Sequence, residues 1–201
     1  MPPKSVRWLW WATLIAVLLP ALHLVFGWVR GAFGAVPEDA LLHLTGRYAL
    51  LFLMTSLLIG PLSWIKILQP LLITRRMIGV SAFFYATIHA LIWAYFDQGF
   101  ALDFIFDEVR FIAQIRNGAI TLLLLTPLAL TSNSISFKRL GSRRWRMTHQ
   151  LIWPATIFAL FHANQSLGTE NTIINVIIIA FIFAAFLKVI SIIKIYICPK
   201  L

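Results

Sequence analysis

The sequence predicts an all-α integral membrane protein with about six transmembrane helices, forming one domain over residues 1–201. Two features of its composition support this: 60% of the residues are hydrophobic and only 12% are charged, whereas an average soluble domain is about 25% charged. A third observation is the length of the apolar runs, because several reach the ~20 residues that a helix needs to cross a bilayer core. The short alternating segments typical of a membrane β-barrel are not found.

Six apolar runs predict the transmembrane spans, and turn-forming residues separate them. The spans are expected at residues 8–28, 43–62, 78–96, 117–133, 148–164 and 172–195. The first run is too long for the hydrophobic region of a signal peptide and lacks a clear cleavage site, so it is assigned as a span. Glycine, proline, serine and asparagine mark the connections, as in "GAFGAVPEDA" and "SNSISFKRLGSRRWR".

The third connection, "ALDFIFDEVRFIAQIRNG", differs from the others because it is amphipathic. Its polar face carries Asp103, Asp107 and Arg110, and its apolar face is expected to carry Leu102, Ile105, Phe106, Val109 and Ile112. Such a segment is typical of a helix that lies in the membrane interface. The alternative is a docking surface for a partner outside the membrane.

The distribution of charge predicts the orientation. With six spans, only Arg30, Arg47, Arg110 and Arg116 fall on one side together with all seven acids, and the other 13 of the 17 basic residues fall on the side of the termini. Lysine and arginine are retained in the cytoplasm, so both termini are expected there. The net charge of +10 then reflects topology and attraction to anionic lipid headgroups, and nucleic-acid binding is not expected.

Five histidines are the candidates for a functional site, because ionisable residues within spans are costly. His89 and His162 lie roughly 16 and 21 Å from the starts of their spans, at similar heights on different helices. Such a pair suits the two axial positions of a haem iron. The single cysteine, Cys198, cannot form a CxxCH attachment, so the haem would be b-type. His23 is interpreted as an interfacial side chain and His43 as a capping or surface residue.

His149 precedes His162 by thirteen residues, or about 20 Å of ideal helix. This spacing would suit two haems stacked across the membrane, with Pro154 able to bend the helix between them. Alternatively, His149 is an interfacial residue beside Arg143, Arg144 and Arg146. Spacing alone leaves both interpretations open.

Several runs resemble the transmembrane domain family of ferric reductases and NADPH oxidases. Within that family they are most similar to the haem-binding membrane subunits of bacterial methionine sulfoxide reductase systems. The matching runs extend from about residue 43 to residue 166: "HLTGRYAL", "GPL", "QPLLITRRMIG", "YATIHALIW", "RLGSRRWRMTHQLIW" and "HANQS".

The resemblance implies a haem b electron-transfer subunit in the bacterial inner membrane. His89, His149 and His162 fall on the haem-ligand motifs of the family, which is also described as binding FMN. The implied donor is quinone or a cytosolic flavin reductase, and the implied partner, in a heterodimer, is a periplasmic molybdopterin reductase subunit that would hold the catalytic site. Arg75 and Arg76 stand where the wider family carries another histidine on the third span. Arginine does not ligate iron but pairs with anions, so a haem propionate or an FMN phosphate is their expected partner.

Three other functions compete with this interpretation. A ferric reductase-type cytochrome with another acceptor would share the haem site. A proton-coupled transporter subunit would relay protons through its histidines, but it usually carries acidic residues within its spans, and this sequence places none there. A structural membrane anchor would leave three deep histidines without a role.

Overall fold

Helices are the only regular elements in the part of the chain that the structure describes. It is a computed structural model that describes residues 6–63, 65–168 and 171–197, with side chains through residue 190. The helices are α1 (Arg7–Val29), α2 (Pro37–Leu62), α3 (Leu72–Ile92), α4 (Leu102–Phe111), α5 (Ala113–Leu130), α6 (Ser134–His149), α7 (Ile152–Leu167) and α8 (Thr172–Ile197). A 3₁₀ helix, Lys66–Leu71, precedes α3 and a π-helical turn, Trp93–Asp97, follows it. Cys198 and Glu170 lie outside the described residues.

The predicted class, an all-α membrane protein, is confirmed. Five described segments are long and apolar enough to cross a bilayer: Arg7–Val29, Pro37–Leu62, Lys66–Asp97, Ala113–Leu130 and Thr172–Ile190. The predicted fifth span corresponds to α7, which has only 16 residues, or about 24 Å of helix. It is therefore shorter than the other five.

Two predicted spans begin earlier in the structure than hydropathy indicated. α2 starts at Pro37 instead of residue 43, because proline fits the first helical turn and Glu38 and Asp39 interact favourably with the helix dipole there. α3 starts at Leu72 instead of residue 78, since Arg75 and Arg76 lower the hydropathy of a turn that is nevertheless helical.

α6 was predicted as a connecting turn, and this prediction is wrong. The side chain of Asn133 accepts a hydrogen bond from the Ser136 amide at 2.7 Å, which caps the start of the helix. The helix is interrupted at Gly141, where φ is 73°. Glycine tolerates this conformation because it has no Cβ, so the apparent turn residue breaks the helix without ending it.

α6 and α7 also replace the single helix that was expected to carry both His149 and His162. His149 is the last residue of α6, and Gln150 and Leu151 separate it from α7. Because Pro154 has no amide hydrogen, it cannot bond the Gln150 carbonyl as a regular helix would. That carbonyl accepts from the Trp153 amide at 3.1 Å instead, which tightens the chain at this point.

Two antiparallel helix pairs form the centre of the bundle. α2 packs most extensively on α3, and α5 on α7. Tyr85 of α3 is 1% exposed in the core and its hydroxyl donates to the Val17 carbonyl of α1 at 2.9 Å, which satisfies the one polar atom of this side chain. The starts of α2 and α5 meet the ends of α3 and α7 at one end of the bundle, here called the α4 end.

Candidate functional site

His89 lies near the end of α3, against the first turns of α2. Its Nδ1 is 2.9 Å from the Leu42 carbonyl oxygen, and a carbonyl can only accept, so this nitrogen carries the proton. The ring also packs on Gly46, where an added Cβ would lie 3.0 Å from both Cε1 and Nδ1 of the imidazole. Glycine at this position therefore makes room for the ring.

His162 is held in the same manner by the other helix pair. Its Nδ1 donates to the Gln114 carbonyl of α5 at 2.8 Å, and its ring packs on Gly118, where a Cβ would lie 3.0 Å from Nδ1. Carbonyl and glycine are four residues apart in both cases, one helical turn. Each helix pair thus holds its histidine in the same way, with a carbonyl and a glycine one turn apart on the neighbouring helix.

The structure brings these two histidines together. Their ring centroids are 5.8 Å apart and the ring planes are at 80° to each other. Both rings line a cavity of about 640 Å³, within the range of about 300–1,000 Å³ for small-molecule and cofactor sites. With each Nδ1 protonated, each Nε2 keeps a free lone pair, which is the form that binds a metal.

The cavity is apolar toward the middle of the bundle and polar at the α4 end. Its apolar part is lined by Ala49, Leu50, Leu53, Ala82, Leu122 and Leu125, and its rim carries His43, Arg47, Asp97, Gln98, Glu108 and Ser166. Ile105 and Val109 of α4 also line it, as does Ile112 directly after the helix, so this helix covers the mouth as the amphipathic pattern allows. Leu102 and Phe106, predicted on the same face, are 65% and 69% exposed instead.

These features fit a haem. In the described part of the chain, no group of three or more His, Cys, Asp or Glu side chains could chelate a bare metal ion. Two imidazoles across an apolar cavity instead match iron whose other ligands come from a porphyrin. The backbone carbonyls that fix both Nδ1 atoms are the partners that orient metal-binding histidines.

His149 is placed elsewhere, and its two ring nitrogens both have protein partners. Nδ1 lies 3.0 Å from the Trp145 carbonyl oxygen and Nε2 lies 3.4 Å from the Ser132 hydroxyl. The ring stacks on Trp145 with a centroid separation of 3.9 Å. His149 does not line the cavity, and in this arrangement it joins the end of α6 to the end of α5.

Arg75 and Arg76 are likewise absent from the cavity wall. Arg75 donates from Nε to the Ser56 carbonyl at 3.1 Å, and the Ser56 hydroxyl donates to the Arg75 carbonyl at 3.2 Å. These reciprocal bonds tie α3 to α2 far from His89. Arg76 is exposed and remains available to an anion at that end of the bundle.

The remaining histidines differ in their relation to the site. His43 lines the rim and lies 3.4 Å from the Asp39 carboxylate. His23 is 2.9 Å from the Tyr48 hydroxyl and is not part of the cavity wall, as its interpretation as a hydrogen-bonded interfacial residue requires.

Sequence reasoning missed Arg47, Gly46 and Gly118. From the sequence, Arg47 is only one of four arginines expected on the outer side, yet it is the one arginine among the cavity-lining residues. The available signal was its position four residues after His43 on α2, which places both on one face of the helix.

Comparison with known proteins identifies the family of this chain. Residues 45–160 match the family model described as ferric reductase like transmembrane component. Proteins named protein-methionine-sulfoxide reductase heme-binding subunit MsrQ are similar over most of their length. The one from Ralstonia nicotianae is 33% identical over 81% of this chain and 75% of the relative. Those from Azospira oryzae and Brucella ovis are 34% and 36% identical over 80% of this chain, covering 69% and 72% of the relatives. The chain therefore belongs to the MsrQ family of ferric reductase-like transmembrane proteins.

Proposed function

We propose that the chain is the haem b electron-transfer subunit of a protein-methionine-sulfoxide reductase system in a bacterial inner membrane. It would take electrons from the quinone pool or a cytosolic flavin donor and deliver them to a periplasmic catalytic subunit of the MsrP type. That partner, a molybdopterin enzyme in a heterodimer with this chain, would repair oxidised periplasmic proteins. The observation that carries the proposal is the pair His89 and His162, each with a free Nε2 on the wall of one cavity.

The residues of the cavity have three tasks in this function. His89 and His162 would ligate the iron, and their hydrogen bonds to Leu42 and Gln114 fix the ring orientation. The apolar wall would exclude water from a bound haem, and α4 would cover it at the mouth. A bound haem b would supply a one-electron redox centre. No residue of the chain is needed as a catalytic acid, base or nucleophile.

The two ends of the bundle are proposed to serve donor and acceptor. The end that carries α6 holds Arg76 and the exposed cations Lys138, Arg139, Arg143, Arg144 and Arg146, which would face the cytoplasm and its donor. Their charge also suits the phosphate of FMN, a second cofactor that rests on the family resemblance. The α4 end, closer to the cavity, would face the periplasm and the acceptor.

Haem quantification in histidine variants tests the proposal. We expect His89→Ala and His162→Ala to lose the haem of this cavity, because each variant lacks one of the two side chains that would ligate the iron. His149→Ala should retain it, since His149 is tied to Trp145 and Ser132 instead of the cavity. His23→Ala is a matched control, because His23 is bonded to Tyr48 and does not line the cavity. Pyridine haemochrome assay of the purified variants gives the measurement, and full iron occupancy in His89→Ala or His162→Ala would refute the pairing.

A further inference from the structure

Arg47 is a positive charge beside an apolar cavity in a membrane helix. In the described part of the chain no hydrogen bond or ion pair joins its guanidinium to another protein group. A guanidinium in such a position is costly unless it has an anionic partner or reaches water. Arg47 is exposed, so its guanidinium is free to pair with an anion that the protein itself does not provide.

The fold places Arg47 next to the elements that hold His89. Leu42 binds the His89 ring through its carbonyl, Gly46 makes room for that ring, and Arg47 follows on the same helix. All three residues line the cavity. An anion paired with Arg47 would thus belong to whatever molecule His89 ligates.

The cavity lining is polar at one end and apolar at the other, so a bound molecule with one polar edge would have a preferred orientation. Along α2 the lining changes from His43 and Arg47 to Ala49, Leu50 and Leu53, a distance of about 15 Å. Haem has the matching asymmetry, with two propionate carboxylates on one edge and an apolar remainder. Carboxylates in the apolar part would be desolvated without a partner, so they belong at the α4 end.

Among the charged groups on the rim, Arg47 is the one suited to bind a propionate. Asp97 and Glu108 would repel it, and His43 already lies beside Asp39. The planar fork of arginine can donate two parallel hydrogen bonds to a carboxylate.

Resting on the proposed function, we infer that Arg47 is a haem-anchoring residue which pairs with a propionate and directs both propionates toward the α4 end. The inference assigns to this arginine the role that the sequence suggested for Arg75 and Arg76.

The test is a titration of detergent-solubilised apoprotein, full chain, with haem b and with its dimethyl ester, which lacks the propionate charges. Affinities are read from the Soret band for wild type, Arg47→Gln and Arg47→Lys. Arg30→Gln is the matched control, because Arg30 is exposed on the same side of the chain and does not line the cavity. For each variant the affinity for haem b is divided by the affinity for the ester. Comparing this ratio between variants cancels the different behaviour of the two porphyrins in detergent.

We expect wild type and Arg30→Gln to prefer haem over the ester by a factor that Arg47→Gln reduces roughly 10- to 100-fold, the size of one charge-assisted hydrogen bond. Arg47→Lys should retain part of the preference. An unchanged ratio in Arg47→Gln would overturn the inference; should that variant not fold, an unchanged ratio in Arg47→Lys or no preference in wild type would do so. Wild type that binds neither porphyrin would instead defeat the proposed function.

Discussion

Gly46 and Gly118 have no side chain at the points where α2 and α5 contact the imidazoles of His89 and His162. The rings of His89 and His162 lie where a Cβ would be 3.0 Å from ring atoms, closer than van der Waals contact allows. Both rings are also fixed by backbone carbonyls, so they cannot turn away without losing those bonds. The two glycines therefore determine how near the histidines approach α2 and α5.

We expect Gly46→Ala to weaken haem binding roughly tenfold or more, because the displaced His89 ring loses its alignment and overpacking costs about 1–3 kcal/mol. Two quantities are measured: the haem content per protein and the absorption spectrum of the bound haem, which shows whether its iron is low-spin. Gly60→Ala is the control on the same helix: it also gains helix propensity of about 1 kcal/mol, but its Cβ would meet the flexible end of Arg75 at 3.3 Å. Equal haem content in both variants would contradict the role given to Gly46.

At this scale the sequence predicts only part of the site. His89 and His162 could be paired because depth along a helix follows from counting residues. The glycines and Arg47 could not be assigned in the same way, since their roles depend on which faces of α2 and α5 meet α3 and α7. A pattern within one helix does not specify that contact.

Among the elements, α4 is the one whose position matters most to the cavity. Ile105 and Val109 of this helix line the mouth, while its Phe104 and Phe111 are 66% and 71% exposed. The helix is thus a cover between the cofactor site and the exterior. An iron shielded from water has a higher reduction potential, because water stabilises the oxidised, more positive state of the centre.

We therefore expect the double variant Ile105→Ser, Val109→Ser to lower the haem midpoint potential and to speed oxidation of the reduced protein by oxygen. Phe104→Ser changes the same helix on a side that does not line the cavity and should leave both properties near wild type. Spectroelectrochemical titration and stopped-flow oxidation supply the measurements. A potential that moves equally in both variants would show that α4 is not the cover.

The elements also show where hydropathy succeeds and where it fails. α1, α2, α3, α5 and α8 were predicted because a long apolar run in a membrane protein must form a helix. α6 escaped prediction because its cations and Gly141 look like loop residues, although Asn133 caps it and its charges suit an interface. The break before α7 follows from Pro154. The sequence predicts that this proline bends the helix, but it does not predict that His149 and His162 lie on two separate helices.

In the molecule as a whole, the cluster of exposed cations and the cavity lie toward opposite ends of the bundle. The exposed cations of α6 lie beyond the ends of α5 and α2, and the cavity lined by His89 and His162 lies toward α4 at the other end. Since basic residues stay in the cytoplasm, the cavity is expected in the outer half of the membrane. This orientation is required for delivery of electrons to a periplasmic partner.

Single cysteines test this orientation directly. In a Cys198→Ser background, which removes the only native cysteine, Asp103→Cys on α4 and Ser142→Cys on α6 are each exposed. We expect a membrane-impermeant maleimide to label Asp103→Cys in intact spheroplasts and Ser142→Cys only after lysis, because α4 would face the periplasm and α6 the cytoplasm. Labelling of both after lysis serves as the control for reactivity. The opposite pattern in intact cells would reverse the topology, place the cavity near the cytoplasm and remove the route to a periplasmic acceptor.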